Sequence, residues 1–372
     1  MIYLDNAATT KVSKGVLEAM LPLFSEKYAN PSSAHSKGEE AKEAIENARK
    51  IIAKKLNADP EEIIFTSCGS ESNALAIKGC LAMTQKNKVI TTKIEHPSVL
   101  ENIKLFEKKD YNVVYLDVDE EGFVDKEQLK KELTNDTALV SIIHANNEIG
   151  TIQDIETIAI WCKEKNIPFH TDAVQSFCKV NIDVKKIPVT FMSISAHKIH
   201  GPKGIGALFI RKNTKVEPQI IGGEQEFYLR AGTENVPGIV GFGKAVEEYK
   251  EQDIKKMQVL RDNLAASLLK IPETKLNGPK NRLCNNINIS FKHIDGSQLL
   301  AELDKEHIHL SMGSACSSYK LDPSHVLLAI GCTADEALGT IRFSLSKYTT
   351  EEEIKITAEK TRQIVEKLRK AR

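Results

Sequence analysis

The chain has 372 residues, 41% of them hydrophobic, with lysine plus arginine matched by aspartate plus glutamate at 51 each. That length suits one large domain joined to a smaller one, and the balanced charge excludes a global field for nucleic acid, an anionic membrane surface or an acidic partner. No run approaches the roughly 18–20 apolar residues of a membrane span, and MIYLDNAATT lacks the basic-then-apolar start of a signal peptide, so a cytoplasmic protein without membrane or direct nucleic-acid contact is expected.

In chain order, an amphipathic helical pattern covers Val16 to Tyr28, the breaker Asn30-Pro31-Ser32-Ser33 follows, and a long charged helix is expected from Ser36 to Leu56. From Ile63 onward seven short apolar runs (IIFTS, VITTKI, VVYLDV, ALVSIIHA, PFHTDAV, FMSISA and GALFIRK) alternate with helical stretches such as Ser98 to Lys109 and Ile155 to Lys165. The alternation predicts an α/β fold with a mainly parallel sheet covered by helices. Strands stop near Val236, where helix periodicity to Leu269 predicts a single long helix leaving the first domain. Beyond it NNINISF, a helix Ser297 to Lys305, HLSMGS, a helix after Pro323, TIRFSLS and a charged C-terminal helix read as a smaller α+β domain. The expected division is 14–255 for the large domain, with 1–13 and 256–372 forming the small one.

The seven cysteines are scattered, with neither a CxxC pair nor zinc-finger spacing. Most read as small buried hydrophobes in a reducing compartment. GIVGFGKA (238–245) has P-loop spacing but ends in Ala245 where a Ser or Thr must hold magnesium, and GPKGIG (201–206) lacks the GxGxxG order and leads into a strand. Nucleotide phosphate loops are therefore rejected.

Three segments end apparent strands with polar residues, where an open α/β sheet presents its ligands. His170-Thr171-Asp172-Ala173-Val174-Gln175 places an acid past a hydrophobic strand, where burial requires a compensating cation. A protonated pyridine nitrogen is such a cation. Ser193-Ile194-Ser195-Ala196-His197-Lys198 puts a lysine at a strand end before a glycine turn, which suits a Schiff-base amine. Thr66-Ser67-Cys68-Gly69-Ser70-Glu71-Ser72-Asn73 leads from strand into helix, offering hydroxyls and free N–H groups to a phosphate. Singly, each has a bland alternative: a helix cap, an ion pair, a solvent-facing lysine. In this order they supply the acid, amine and anion cradle that pyridoxal phosphate needs.

YLDNAATT, NPSSAH, FTSCGSESNALAIKG, TTKIEHPSVL, IIHANNEIG, HTDAVQS, SAHKIHGPKGIGAL, RAGTEN, GSACSS and TIRFSLS together span nearly the whole chain. With them the sequence resembles the cysteine desulfurases of the NifS/IscS type, within the class V aminotransferases of pyridoxal-phosphate fold type I. The resemblance implies a seven-stranded large-domain sheet, a homodimer, and release of sulfur from L-cysteine as a persulfide on Cys316, leaving L-alanine. It further implies Lys198 as the Schiff-base lysine, Asp172 on the pyridine nitrogen, Gln175 on the ring oxygen, and His96 stacked on the ring and moving protons. Gly69, Ser70, Ser195 and His197 would hold the phosphate, with Thr233 contributed by the neighbouring subunit. Arg342 and Asn147 would hold the substrate carboxylate, Asn147 also touching the cofactor. On the bland reading His96 caps the helix that follows it.

No metal site is expected beyond a transient iron–sulfur contact at Cys316. The patternless stretch from Gly313 to Pro323 is expected to be a mobile loop, similar to the long-loop, type I branch that passes sulfur to protein acceptors. An iron–sulfur scaffold, a tRNA-thiolating enzyme and a selenium pathway all stay open, because the chain ends soon after its last helix. Glu224 stands where the family has glycine, and Glu226-Phe227-Tyr228-Leu229 departs from its commonest form. The rival readings are a selenocysteine lyase, an ordinary aminotransferase, and a non-catalytic sulfur carrier on the same fold.

Overall fold

The computed structural model describes residues 1–313 and 322–371, so Cys316 lies outside the described residues. Its centre is a seven-stranded sheet in the order β2 (Ile63–Thr66), β8 (Gly206–Ile210), β7 (Phe191–Ser195), β6 (Phe169–Asp172), β5 (Thr137–Ser141), β3 (Lys88–Thr92) and β4 (Asn112–Leu116). From β7 to β4 all pairings are parallel, whereas β8 runs antiparallel to both of its neighbours. All seven apolar runs form strands. The exception in direction has a simple cause: the connection 196–205 between β7 and β8 is shorter than the dozen or so residues a parallel crossover needs. Helices cover both faces, so β3, β5, β6, β7 and β8 are buried throughout and read as continuous apolar runs. Only β4, at the edge, is half exposed.

The charged helix α3 (Ser36–Leu56) starts where His35 accepts the Gly38 N–H and stops at Asn57, whose φ of 57° is left-handed. It packs on α8 (Val236–Glu248) at close range: a Cβ added to Gly243 would lie 2.9 Å from the Ala48 Cβ. Two helical expectations need correction. Val16 to Tyr28 is broken into α1 (Lys14–Met20) and α2 (Pro22–Ser25), because Pro22 has no N–H to continue the ladder. The long helix from Val236 is likewise two, α8 and α9 (Glu251–Leu268). The chain extends at Tyr249 and Lys250, where the Tyr249 ring is buried and the Lys250 N–H is capped by Asp253 at 3.1 Å. The expected division at residue 255 falls inside α9.

A second core forms around β9 (Thr274–Leu276), β10 (Asn286–Phe291) and β12 (Thr340–Ser344), an antiparallel sheet packed by α10 (Gly296–Lys305) and the C-terminal α13 (Glu351–Lys370). The N-terminus belongs with it: β1 (Ile2–Tyr3) pairs in parallel with β11 (Ile308–His309), and Ile2 and Leu4 sit in the same apolar cluster as Ile287, Ile289 and Phe343. From there residues 6–10 cross to the large sheet, the Asn6 amide donating to the Ser344 carbonyl at 2.8 Å and the Thr10 hydroxyl to the His197 carbonyl at 2.8 Å. The unusual segment after Gly222 is fastened by a buried ion pair. Both Glu226 oxygens meet the Arg49 guanidinium at 2.9 Å, and one also accepts the Phe65 N–H at 2.7 Å. That anchor holds Glu226, Phe227 and Tyr228 at φ of 47°, 57° and 65°, where non-glycine residues rarely sit. No described helix is long and apolar enough to cross a membrane.

Candidate active site

A cavity of about 220 Å³ opens at the carboxyl ends of the parallel strands. Its wall contains Asp172, Gln175, Ser195, His197 and Lys198 from the ends of β6 and β7, together with Gly69, Ser70, His96 and Asn147. Two predicted residues are not in it, and a third cannot be placed. Thr233 lines a separate space of about 250 Å³ with Ser67, Arg230 and Glu234, Arg342 is buried on β12, and Cys316 is outside the described residues.

Lys198 ends the single 3-10 turn that follows β7, and its Nζ donates to the main-chain carbonyls of Ala7 and Ala8 at 2.5 and 2.7 Å. The Gln175 amide donates to the same Ala7 carbonyl at 2.9 Å, and His197 Nδ1 lies 3.2 Å from the Thr9 hydroxyl. The N-terminal segment thus forms one side of the site. In the sequence this role of NAATT is not legible, because main-chain carbonyls leave no residue-type signal.

Asp172 is the last residue of β6 and is buried, accepting from the Val174 N–H at 2.9 Å and from the Asn73 amide at 2.8 Å. Asn73 was missed as well. It is a fully buried amide on α4 (Gly69–Leu81), between Ser72 and Leu75 on the helix's apolar side, and a polar residue in such a stripe is the signal that could have exposed it. His96 is both a helix cap and a wall residue. Its Nδ1 accepts the Ser98 N–H at 3.1 Å at the start of α5 (Pro97–Glu107), and burial holds its pKa below the usual value. The Asp172 carboxylate opposes that depression, while Lys198, His325 and Arg342 add to it.

The anion cradle is the first turn of α4, where Gly69 is the first helical residue. A Cβ there would come 2.7 Å from Val174 Cγ2, so only glycine lets the turn sit this close to the strand ends. Beside it the Ser195 hydroxyl is buried without a partner among the described residues. An unmet donor, free N–H groups at a helix N-terminus, a buried acid and a lysine in one cavity fit pyridoxal phosphate. Cys68, the cap residue of that turn, also lines the cavity and is half-buried, unlike the five other described cysteines, which are buried.

Arg342 is engaged already: Nη2 meets Asp5 Oδ1 at 2.9 Å and Nη1 donates to the Asn147 carbonyl at 3.2 Å, while Nε is buried without a partner among the described residues. Asp5 is a second residue that sequence reading missed.

Burial in and around the site sets an acid limit. His144, His170, His197 and His200 are pushed down from 6.5 to about 4, 4, 3 and 4, in each case chiefly by burial. The unfolded chain takes up these protons near 6.5 and the folded chain does not, so the stability present above 6.5 is lost as pH falls toward those values. His96, also held down by burial, adds to this loss, while Glu95, pushed up to about 8, and Glu234 act in the opposite sense. The urea midpoint is expected to fall steadily from about pH 7 to about pH 4; a flat or rising midpoint would show that the imidazoles are not held neutral.

The sequence profile of the aminotransferase class-V family matches residues 2–356. Among curated proteins, the cysteine desulfurase IscS of Dictyoglomus turgidum is 51% identical over 375 residues, covering 99% of this chain and 95% of its own. That of Clostridium botulinum is 48% identical over 377 residues, covering 99% and 95%. Among solved structures, a NifS-like protein superposes with a TM-score of 0.92 at 42% identity, covering 98% of this chain and 99% of its own. SspA in complex with cysteine gives 0.85 at 41% identity, covering 94% and 100%.

Proposed function

We infer that this chain, which belongs to the class-V aminotransferase family, takes sulfur from L-cysteine onto its own Cys316 and passes it to an acceptor protein. It is a cysteine desulfurase that depends on pyridoxal phosphate. The observation that carries the residue assignments is the gathering of Lys198, Asp172, His96 and the Gly69 turn around one cavity.

Pyridoxal phosphate, when bound, supplies the electron sink that makes the Cα proton of an amino acid acidic. Lys198 is the amine that binds it and then the base that receives the Cα proton. Asp172, kept from solvent, holds a positive charge on the ring nitrogen, and Gln175 donates to the ring oxygen. Gly69, Ser70, Ser195 and His197 hold the phosphate. Asn147 and Arg342 bind the substrate carboxylate, a task to which the arginine fork is suited, with Asp5 fixing its orientation. His96 carries a proton at the ring face. Cys316 attacks the substrate sulfur as a thiolate; a new S–S bond forms, the C–S bond breaks, and its electron pair stays on carbon, which is protonated to alanine.

In this reading two copies form a homodimer and Thr233 reaches the partner's cavity, which explains why it does not line its own. The large domain is 14–255, with 1–13 and 256–372 as the small one carrying Cys316. The protein works in the cytoplasm, and the acceptor is an iron–sulfur scaffold or a tRNA-thiolating enzyme. With cofactor-loaded protein, L-cysteine and a thiol reductant, alanine and sulfide are expected in equal amounts. A keto acid without sulfide would favour the aminotransferase reading, and release from selenocysteine alone would favour the lyase.

A further inference from the structure

On the cavity wall three hydrogen bonds join Asp172 to His96 through two side chains with no assigned role. The Asn73 amide nitrogen lies 2.8 Å from Asp172 Oδ2 and 2.8 Å from Ser98 Oγ, and Ser98 Oγ lies 2.8 Å from His96 Nδ1. Chemistry fixes the direction of each. An amide nitrogen has two hydrogens and no acceptor capacity, so Asn73 gives one hydrogen to the carboxylate and one to the serine oxygen. Flipping the amide would set its oxygen against the Asp172 carboxylate, two acceptors face to face, and lose that bond. The Ser98 N–H, which can only donate, is directed at His96 Nδ1 at 3.1 Å, so Nδ1 is an acceptor and Ser98 Oγ, accepting from Asn73, gives it its own hydrogen. Nδ1 can therefore only accept, and the proton of the neutral ring resides on Nε2.

We propose that Ser98 and Asn73 are positioning residues that hold His96 in its Nε2–H form and link its protonation to the Asp172 carboxylate. To become an imidazolium, the ring must put a hydrogen on Nδ1. Ser98 must then reverse its hydroxyl, and the Ser98 N–H loses its acceptor. The same bonds tie α4, which carries the anion cradle, to α5 and to β6, so phosphate turn, acid and imidazole are held as one unit. Five charged or titratable groups are set around the imidazole: Asp172 from β6, Lys198 and His197 from the turn after β7, His325 from α11 (His325–Ala329) and Arg342 from β12. Asp172 is the one that favours a charged ring, and it is the one engaged by Asn73. The inference rests on His96 acting in proton transfer, and its first readout does not depend on that.

The test is nitrogen-15 NMR of the histidine side chains in full-length, cofactor-loaded protein, with the His96 signal assigned by a His96→Gln variant. The wild type is expected to show a neutral Nε2–H ring at neutral pH. Ser98→Ala and Asn73→Ala are expected to give a mixed tautomer signal, Ser98→Thr to restore the wild-type one, and kcat in Ser98→Ala to fall about tenfold with little change in KM. This is less than the usual loss of a general acid–base group, because the Ser98 N–H remains. A wild-type ring protonated on Nδ1 would overturn the proposal without need of any variant, as would an unchanged His96 signal in both alanine variants. A shifted signal with unchanged kcat would support the positioning role and overturn the proton-transfer reading of His96.

Discussion

A Lys198→Ala variant is expected to release sulfide from cysteine at least about 10³-fold more slowly than wild type, a loss typical of removing both a nucleophilic amine and a general base. Among the described residues nothing nearby replaces it. Lys179, the neighbouring buried lysine, has its pKa pushed down to about 8 by burial, but its Nζ donates to the Gln175 and Lys198 carbonyls at 3.0 and 3.1 Å and it is absent from the cavity wall. The fold should tolerate the change, since Gln175 and Thr10 still anchor the N-terminal segment when the bonds to the Ala7 and Ala8 carbonyls are lost. The cofactor's absorbance should show that it is still bound, and a small primary amine added to the buffer should return part of the activity. Turnover within about tenfold of wild type would mean that Lys198 is neither amine nor base.

Cys316→Ala is expected to be as damaging, at least about 10³-fold in sulfide release, while leaving cofactor binding unchanged. After cysteine treatment, mass spectrometry of wild-type peptides should find one added sulfur atom on Cys316. Competing nucleophiles are few. Burial pushes the thiols of Cys80, Cys162 and Cys178 up to about 12 and that of Cys284 to about 11, which keeps them as unreactive thiols at neutral pH. Cys332 is also raised by burial. Cys68 is the one other cysteine to weigh, because it lines the cavity. Cys68→Ser should still form the persulfide. If Cys68→Ser lost it and Cys316→Ala kept it, the nucleophile would be Cys68 and the assignment of Cys316 would fall.

Much of this molecule is written in local pattern. The seven strands, α3 with its end at Asn57, and the placing of Asp172 at the end of β6 and Lys198 just past β7 all follow from apolar periodicity and from breakers a few residues away. The anion cradle could be read because a strand, a glycine and a run of hydroxyls are contiguous. The break at Tyr249 was less legible, since α8 and α9 share one helical periodicity and it is burial of the tyrosine ring that turns the chain. The partners of the chemical groups could not be read at all. Lys198 rests on carbonyls 190 and 191 residues away, Arg342 on a carboxylate 337 residues away, and Asp172 on an amide 99 residues away. Sequence by itself determined which side chains stand at the ends of which strands, because propensity and period act over a few neighbours. Only the tertiary structure decided which of them meet: β1 must pair with β11 before the N-terminal segment can cross to Lys198, and α4 must pack on the sheet before Asn73 can reach both Asp172 and Ser98.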